Sequence, residues 1–253
     1  MKDEVKGRVF LVTGSGHGLG AAVATAAARA GARVVLNCRS DGKRAESLAA
    51  DLKKAGADVR AVKADVTQAE GARALVDETL KAFSRVDVLV NTVGAFEWKP
   101  VAEMDPGEWR MVMASNLDSV YLVSRLVLPT MRENRFGRIV NFGEVGAERT
   151  AAHPRVAAWA AAKAGVIALS KTLALEEARY GITVNVVCPG VLEETSARGK
   201  RAALHGNGGL GDRVPVGRAA RADDVVRAVL FFASPAADFV TGQVLAVAGG
   251  ASL

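Results

Sequence analysis

The sequence predicts an α/β fold in which one doubly wound parallel sheet of seven strands is flanked by helices. Three observations carry that expectation. Short runs rich in branched apolar residues alternate along the whole chain with longer stretches at helical spacing. A glycine-rich turn joins the first such run to the first helix. No internal repeat and no Pro- or Ser-rich linker divides the 253 residues, so a single domain over 1–253 is expected.

The opening is a βαβ unit, with 8–12 read as a strand, 21–30 as a helix and 33–36 as the next strand. Gly31 suits the position just past the first helix, where a left-handed residue ends the hydrogen-bond ladder. Leu48 and Leu52 mark one face of the second helix across a Lys-rich side. Residues 59–64 and 86–90 read as buried strands, and Thr67 with Glu70 predicts a capping box for the helix between them. Asp105, Pro106 and Glu108 repeat that signature for a short helix. Residues 139–142, 182–187 and 244–247 supply three more strands. The Ala-rich segments 21–30 and 157–164 are expected to be helices packed closely on their neighbours. Over 192–214 apolar periodicity gives way to charges and to Gly199, Gly206, Gly208, Gly209 and Gly211, which predicts a substrate lid.

Composition narrows the function classes. Half the residues are apolar and 24% are charged, as in ordinary globular proteins. No uninterrupted apolar run approaches the roughly 20 residues that span a bilayer, and the first ten residues lead into a strand rather than a cleavable signal. A cytoplasmic protein with no membrane partner is expected. Cys38 and Cys188 lie at apolar strand ends without paired metal spacing, which fits a reduced compartment and predicts no metal site. The net charge of +6 leaves open nucleic acid, a phosphate-rich cofactor or an acidic carrier protein. Basic residues alternate with acids along every helix, and no aromatic-plus-basic cluster is present, so nucleic acid is not expected.

The glycine-rich turn runs Thr13-Gly14-Ser15-Gly16-His17-Gly18-Leu19-Gly20 between the first strand and first helix. Glycines there let the backbone approach a pyrophosphate at the positive end of a helix, as in a Rossmann-type domain. Leu19 breaks the GxGxxG spacing, and TGxxxGxG fits instead. With that motif the chain resembles the short-chain dehydrogenase/reductase family. The likeness continues through Asp65-Val66, through Asn91-Thr92-Val93-Gly94 in place of NNAG, through Asn116 at the start of a long helix, and through Ile139-Val140-Asn141. It goes on through Pro189-Gly190, with Leu192 just beyond, to 214–218, 222–225 and Thr241-Gly242-Gln243, which resemble the β-ketoacyl-acyl-carrier-protein-reductase-like branch. Ala248-Gly249-Gly250 departs from the common DGG. The resemblance implies that Asp65 and Val66 contact adenine, that Asn91, Val93 and Gly94 line the cofactor, and that Pro189 and Gly190 sit beside nicotinamide.

Cofactor choice is legible where the second strand ends, at Cys38-Arg39-Ser40. An NAD site generally places there an acid that binds the ribose 2′-hydroxyl and repels a 2′-phosphate. Here Cys38 stands in that place, and Arg39, helped by Ser40 and His17, could bind the phosphate, so NADP(H) is expected. The alternative leaves Arg39 as a solvated loop residue.

The family's active helix carries Tyr-x-x-x-Lys, and this chain has Trp159-Ala160-Ala161-Ala162-Lys163. Lys163 keeps its place one turn from residue 159. The indole N–H of Trp159 can donate a hydrogen bond but has no proton to transfer near working pH. Where the resemblance places a carbonyl-orienting serine, Glu144 stands fifteen residues before Trp159, slightly farther than usual. Between Asn141 and Trp159 the one hydroxyl side chain is Thr150, while Tyr121 and Tyr180 fall on a helix face and at a helix end. Glu144 is open to two readings, a functional acid or an exposed loop residue. His153 is a further conceivable acid or simply exposed, and Asn116 and Lys163 also support the cofactor site.

An NADP(H)-dependent reductase of a small-molecule or acyl-carrier-bound carbonyl is therefore expected, with an altered active site. The alternatives are a non-catalytic NADP(H)-binding regulatory subunit paired with an active relative, or a different reaction with Glu144 as base. A homo-oligomer, a tetramer as in the family, is expected because Leu122, Val123, Leu126, Ile167, Leu169 and Leu173 exceed what one sheet face can cover.

Overall fold

Seven strands of branched apolar residues pair in parallel throughout, in the order β3-β2-β1-β4-β5-β6-β7. They are β1 (Val9–Thr13), β2 (Arg33–Cys38), β3 (Val59–Lys63), β4 (Val88–Asn91), β5 (Gly137–Phe142), β6 (Ile182–Pro189) and β7 (Val244–Val247). This computed structural model describes residues 4–40, 42–151, 153–193 and 214–251, so the expected lid over 192–214 falls almost wholly outside the described residues. Strands β1, β4 and β5 are buried along their whole length, and β1 and β4 therefore read as near-continuous apolar runs rather than alternating ones, while β5 also buries Arg138 and Asn141. The strand order reverses direction between β1 and β4, where Thr13 stands beside Asn91, and such a switch point leaves a crevice at the strand C-termini.

Helices cover both faces. The first face is packed by α1 (Gly18–Arg29), α2 (Gly42–Lys54) and α7 (Ala222–Ala233), through Val23, Ala24, Ala27, Ala45, Val225 and Phe232. Alanines let α1 lie close against α7, as the Ala-rich reading of 21–30 expects. The second face is packed by α3 (Ala69–Phe83), α5 (Ser119–Glu133) and α6 (Ala157–Glu177), through Leu75, Val76, Val123, Val127, Met131 and Ala174. A short α4 (Pro106–Met113) precedes α5, and Asp105 caps it as predicted, accepting from the Gly107 and Glu108 amides while Glu108 reaches back.

Several expectations need correction. The fourth strand is bounded at Val88 instead of residue 86, although the Asp87 backbone already bonds to Val9 and Arg138, and the buried Asp87 carboxylate accepts from the Val9 amide at 2.9 Å and pairs with Arg8 and Arg85. Strands β1, β2 and β4 each run on to a polar or sulfur residue at the crevice, Thr13, Cys38 and Asn91, that the apolar pattern did not include. Thr67 does not cap α3, since its hydroxyl donates to the Asp65 carboxylate at 2.7 Å and Gln68 takes the cap position without a side-chain bond. Asn116 does not open a helix. It lies within a π-helical turn, Ala114–Asp118, inside the continuous helix that joins α4 to α5. The excess of apolar residues is smaller than expected, because Val123 and Ile167 are buried in the chain's own core and Leu122, Leu126 and Leu173 pack against it. The surplus lies elsewhere, at Phe239, Leu175 and Val101. Two helical stretches, Pro106–Glu133 and Ala157–Tyr180, are long and apolar enough to cross a membrane, with a mean hydropathy of 1.2, yet both lie against the sheet as core helices.

Candidate dinucleotide and active site

The glycine loop is shaped by its packing on one side and by open space on the other. Gly14 and Gly18 adopt φ of +63° and +58°, a region costly for a residue with Cβ. A Cβ on Gly14 would lie 2.9 Å from Val93 Cγ2, and one on Gly20 would lie 2.5 Å from Thr92 Oγ1, so these two glycines let the loop close on β4. A Cβ on Gly18 would meet nothing within 4 Å, which leaves the helix N-terminus open to an approaching group. His17 occupies the N-cap in an extended conformation and its exposed side chain does not cap, so the first amides of α1 remain for an anion, with Leu19 turned into the core. This cradle fits the pyrophosphate of a dinucleotide.

Two residues that sequence reasoning missed hold the loop in place. Ser15 donates its amide to the Asn37 carbonyl at 2.8 Å, and its hydroxyl accepts from the Asn37 amide at 2.9 Å. Asn37 in turn receives the Gly14 amide on Oδ1 at 3.2 Å and donates to the Ala64 carbonyl at 3.0 Å. Asn37 was hidden inside a strand run, and a buried polar residue beside the glycine motif is the signal that could have found it.

At the end of β2, Cys38 is buried, with its Cβ 3.7 Å from where a Cβ on Gly16 would stand, and Arg39 and Ser40 are exposed beyond it. Among the described residues of this strand end, Cys38, Arg39 and Ser40, none carries a carboxylate. Asp65 is half-buried and spends one carboxylate oxygen on the Thr67 amide and hydroxyl, while Val66 is in the core, so an adenine contact there would use backbone atoms and the other oxygen. Asn91 donates to Asn141 Oδ1 at 2.8 Å, and Asn141 donates to Ser170 Oγ at 2.8 Å, which fastens β4, β5 and α6 together. Pro189 ends β6, and Gly190 passes so near Ala248 that a Cβ would lie 2.8 Å from the Ala248 Cα. The Leu192 side chain is buried in the core and its backbone pairs with Ala220, leaving only main-chain atoms for a ligand.

At the other end of the crevice, the Lys163 ammonium donates to the Phe142 carbonyl at 2.8 Å and lies 4.7 Å from the centre of the Trp159 ring. Burial pushes the lysine down to about 8, with the nearby Cys188 a smaller opposing influence, and burial also pushes the Cys188 thiol up to about 12. Trp159 meets Phe96 edge-on, with ring centres 5.1 Å apart and planes at 84°, and Phe96 lies 6.2 Å from Trp98. The indole nitrogen of Trp159 is buried with no hydrogen-bond partner among the described residues. Phe96 and Trp98 were missed because no spacing marks a loop aromatic.

Glu144 is 8% exposed, which overturns the exposed-loop reading. It is carried inward by Gly143, whose missing Cβ makes room for Cys188 Sγ and Val186 Cγ1, at 2.6 and 2.8 Å from that position. Asn116 is fully buried and donates to the Ala95 and Val112 carbonyls at 2.8 and 2.9 Å, while Gly94 has no room for a Cβ against its Oδ1. His153 is exposed, as is Thr150, whose hydroxyl donates to the Arg149 carbonyl. Tyr121 points to solvent, and Tyr180 lies under the Arg132 and Arg179 guanidinium groups, so neither tyrosine belongs to the site.

Residues 14–252 match the family profile described as enoyl-(acyl carrier protein) reductase. The chain belongs to the short-chain dehydrogenase/reductase family. It is 37% identical over 250 residues to a 3-oxoacyl-[acyl-carrier-protein] reductase from Haemophilus influenzae, covering 97% of this chain and 98% of the relative. It is also 35% identical to a 2-(S)-hydroxypropyl-CoM dehydrogenase from Xanthobacter autotrophicus, covering 99% and 98%. Among solved structures it superposes with a TM-score of 0.89 on a gluconate 5-dehydrogenase from Burkholderia cenocepacia in complex with NADP and tartrate, at 35% identity and covering 98% and 97%.

Proposed function

We propose that the protein is an NADP(H)-dependent short-chain oxidoreductase that reduces a carbonyl of the 3-oxoacyl-carrier-protein type in an altered active site. The observation that carries this reading is the open helix N-terminus at Gly18 combined with a β2 end that places Cys38 where an NAD site generally has an acid, followed by exposed Arg39 and Ser40. The first amides of α1 would hold the pyrophosphate and Arg39 the 2′-phosphate, with His17 alongside. The cofactor, when bound, supplies a hydride. A relative that is a 3-oxoacyl-carrier-protein reductase and a neighbour solved with NADP support the same assignment.

The chain's own residues then meet the carbonyl differently from a tyrosine–serine pair. Trp159 offers an indole N–H as a hydrogen-bond donor, Lys163 keeps a cation beneath the ring, and Glu144 brings a buried carboxyl group to the end of β5. None of these reproduces a phenol that gives up a proton, so proton delivery is expected to be slow and to come from Glu144 or bound water.

A second reading is favoured by one contact. Because the Trp159 ring covers Lys163, the same site suits a cofactor-binding subunit that acts with an active relative. In both readings the chain is one cytoplasmic domain over 1–253 that assembles as a tetramer and takes neither nucleic acid nor membrane as partner. NADPH consumption with a panel of 3-oxoacyl thioesters and small ketones separates them. Slow, substrate-dependent consumption supports the reductase, and tight NADPH binding with no consumption supports the subunit.

A further inference from the structure

The loop after β4 is held by the π-turn. The Ala95 amide donates to Ser115 Oγ at 3.0 Å, and the Ala95 carbonyl accepts from Asn116 Nδ2 at 2.8 Å. Ser115 is itself anchored, donating to the Val112 carbonyl at 3.2 Å and accepting from Asn116 Nδ2 at 3.2 Å. Both side chains are buried, so no water competes for these bonds. In an α-helix neighbouring side chains diverge by about 100°. The wider π-turn brings Ser115 and Asn116 to the same backbone unit, a use typical of such turns near functional sites.

Phe96 comes next in the chain after Ala95; its ring supports the edge of Trp159, and Trp159 covers Lys163. We propose that Ser115 is a positioning residue that sets the Trp159 ring over Lys163, acting through the Ala95 backbone and the Phe96 ring. Among the described residues its hydroxyl bonds to Ala95, Val112 and Asn116, and not to the glycine loop or to Lys163. Its importance for catalysis rests on the reading of Trp159 and Lys163 as the reactive end of the site, but the geometry itself is measured without turnover, so the two ideas fail separately.

The chain has three tryptophans, so Trp98→Phe with Trp109→Phe leaves Trp159 as the sole emitter. In that background, without NADPH, Ser115→Ala is expected to raise acrylamide quenching of Trp159 about twofold or more as the ring loses its edge support. Ser115→Thr keeps the acceptor oxygen and is expected to restore the background value. Phe96→Leu should reproduce the rise, and combining it with Ser115→Ala should add nothing, because both act on one chain of contacts. If Ser115→Ala fails to fold in a thermal melt, Ser115→Cys, which retains the volume and weakens the acceptor, takes its place. Unchanged quenching in the position-115 variant, or additive rises in the double variant, overturns the proposal.

Discussion

Lys163 is held between two partners, the Phe142 carbonyl 2.8 Å from its ammonium and the Trp159 ring whose centre lies 4.7 Å away. Neither partner carries a negative charge, so the cation is stabilised by one hydrogen bond and by the ring's quadrupole, worth about 2 kcal/mol when desolvated. Burial outweighs both and brings the lysine down to about 8.

Stability depends on pH through this group. The lysine titrates at about 8 when folded and near its ordinary 10.5 when unfolded, so above pH 8 the unfolded chain binds more protons and stability rises with pH. The slope is at most about 1.4 kcal/mol per pH unit. Cys188 works in the opposite direction above its ordinary 9, since its folded thiol is pushed up to about 12. The lysine is therefore read cleanly between pH 8 and 9. Urea unfolding of the wild type and Lys163→Met across that window is expected to show the rise only in the wild type.

At the cofactor end, Arg39→Ala is expected to weaken NADPH about tenfold or more while leaving NADH nearly unchanged, because it removes a charge-assisted bond to the 2′-phosphate alone. Fluorescence titration with both cofactors checks this. Equal losses would return Arg39 to the role of a solvated loop residue.

The exposed apolar residues make a prediction about assembly. Phe239 is 100% exposed, Leu245 in β7, the last strand of the sheet, is 40% exposed, and Phe231 on α7 is 39% exposed. Light scattering is expected to give a tetramer, and Phe239→Asp with Leu245→Asp to lower the mass, since charges there oppose pairing of that edge. A monomeric wild type at micromolar concentration contradicts the assembly.

The sheet and its order of helices were legible because fully buried parallel strands leave continuous apolar runs, as in Val9 to Val12 and Val88 to Val90. The glycine cradle was legible because φ near +60° at Gly14 and Gly18, with close packing at Gly14, favours glycine in both places. The polar fastenings were not. Asp87, Asn37 and Ser115 bond to backbone that is distant in sequence, and no periodicity records a partner 78 or 20 residues away. Thr67 misled for a related reason, since its hydroxyl donates to the neighbouring Asp65 carboxylate and is oriented by that local bond rather than toward the helix amides. The burial of Glu144 depends on the space left by Gly143 against Cys188, a tertiary fact absent from local sequence.

We propose that positions 159 and 144 limit the chemistry of an otherwise complete reductase. The most direct measurement is the NADPH-dependent reduction of a 3-oxoacyl thioester by the wild type, Trp159→Tyr, and Trp159→Tyr combined with Glu144→Ser. The double variant is expected to exceed the wild type by about 10²–10⁴-fold in kcat, the usual contribution of a general acid, and the single variant by less, because it still lacks the hydroxyl that would orient the carbonyl. A wild type that already matches the double variant, or a double variant that binds NADPH and reduces nothing, would show that these two positions do not limit the chemistry.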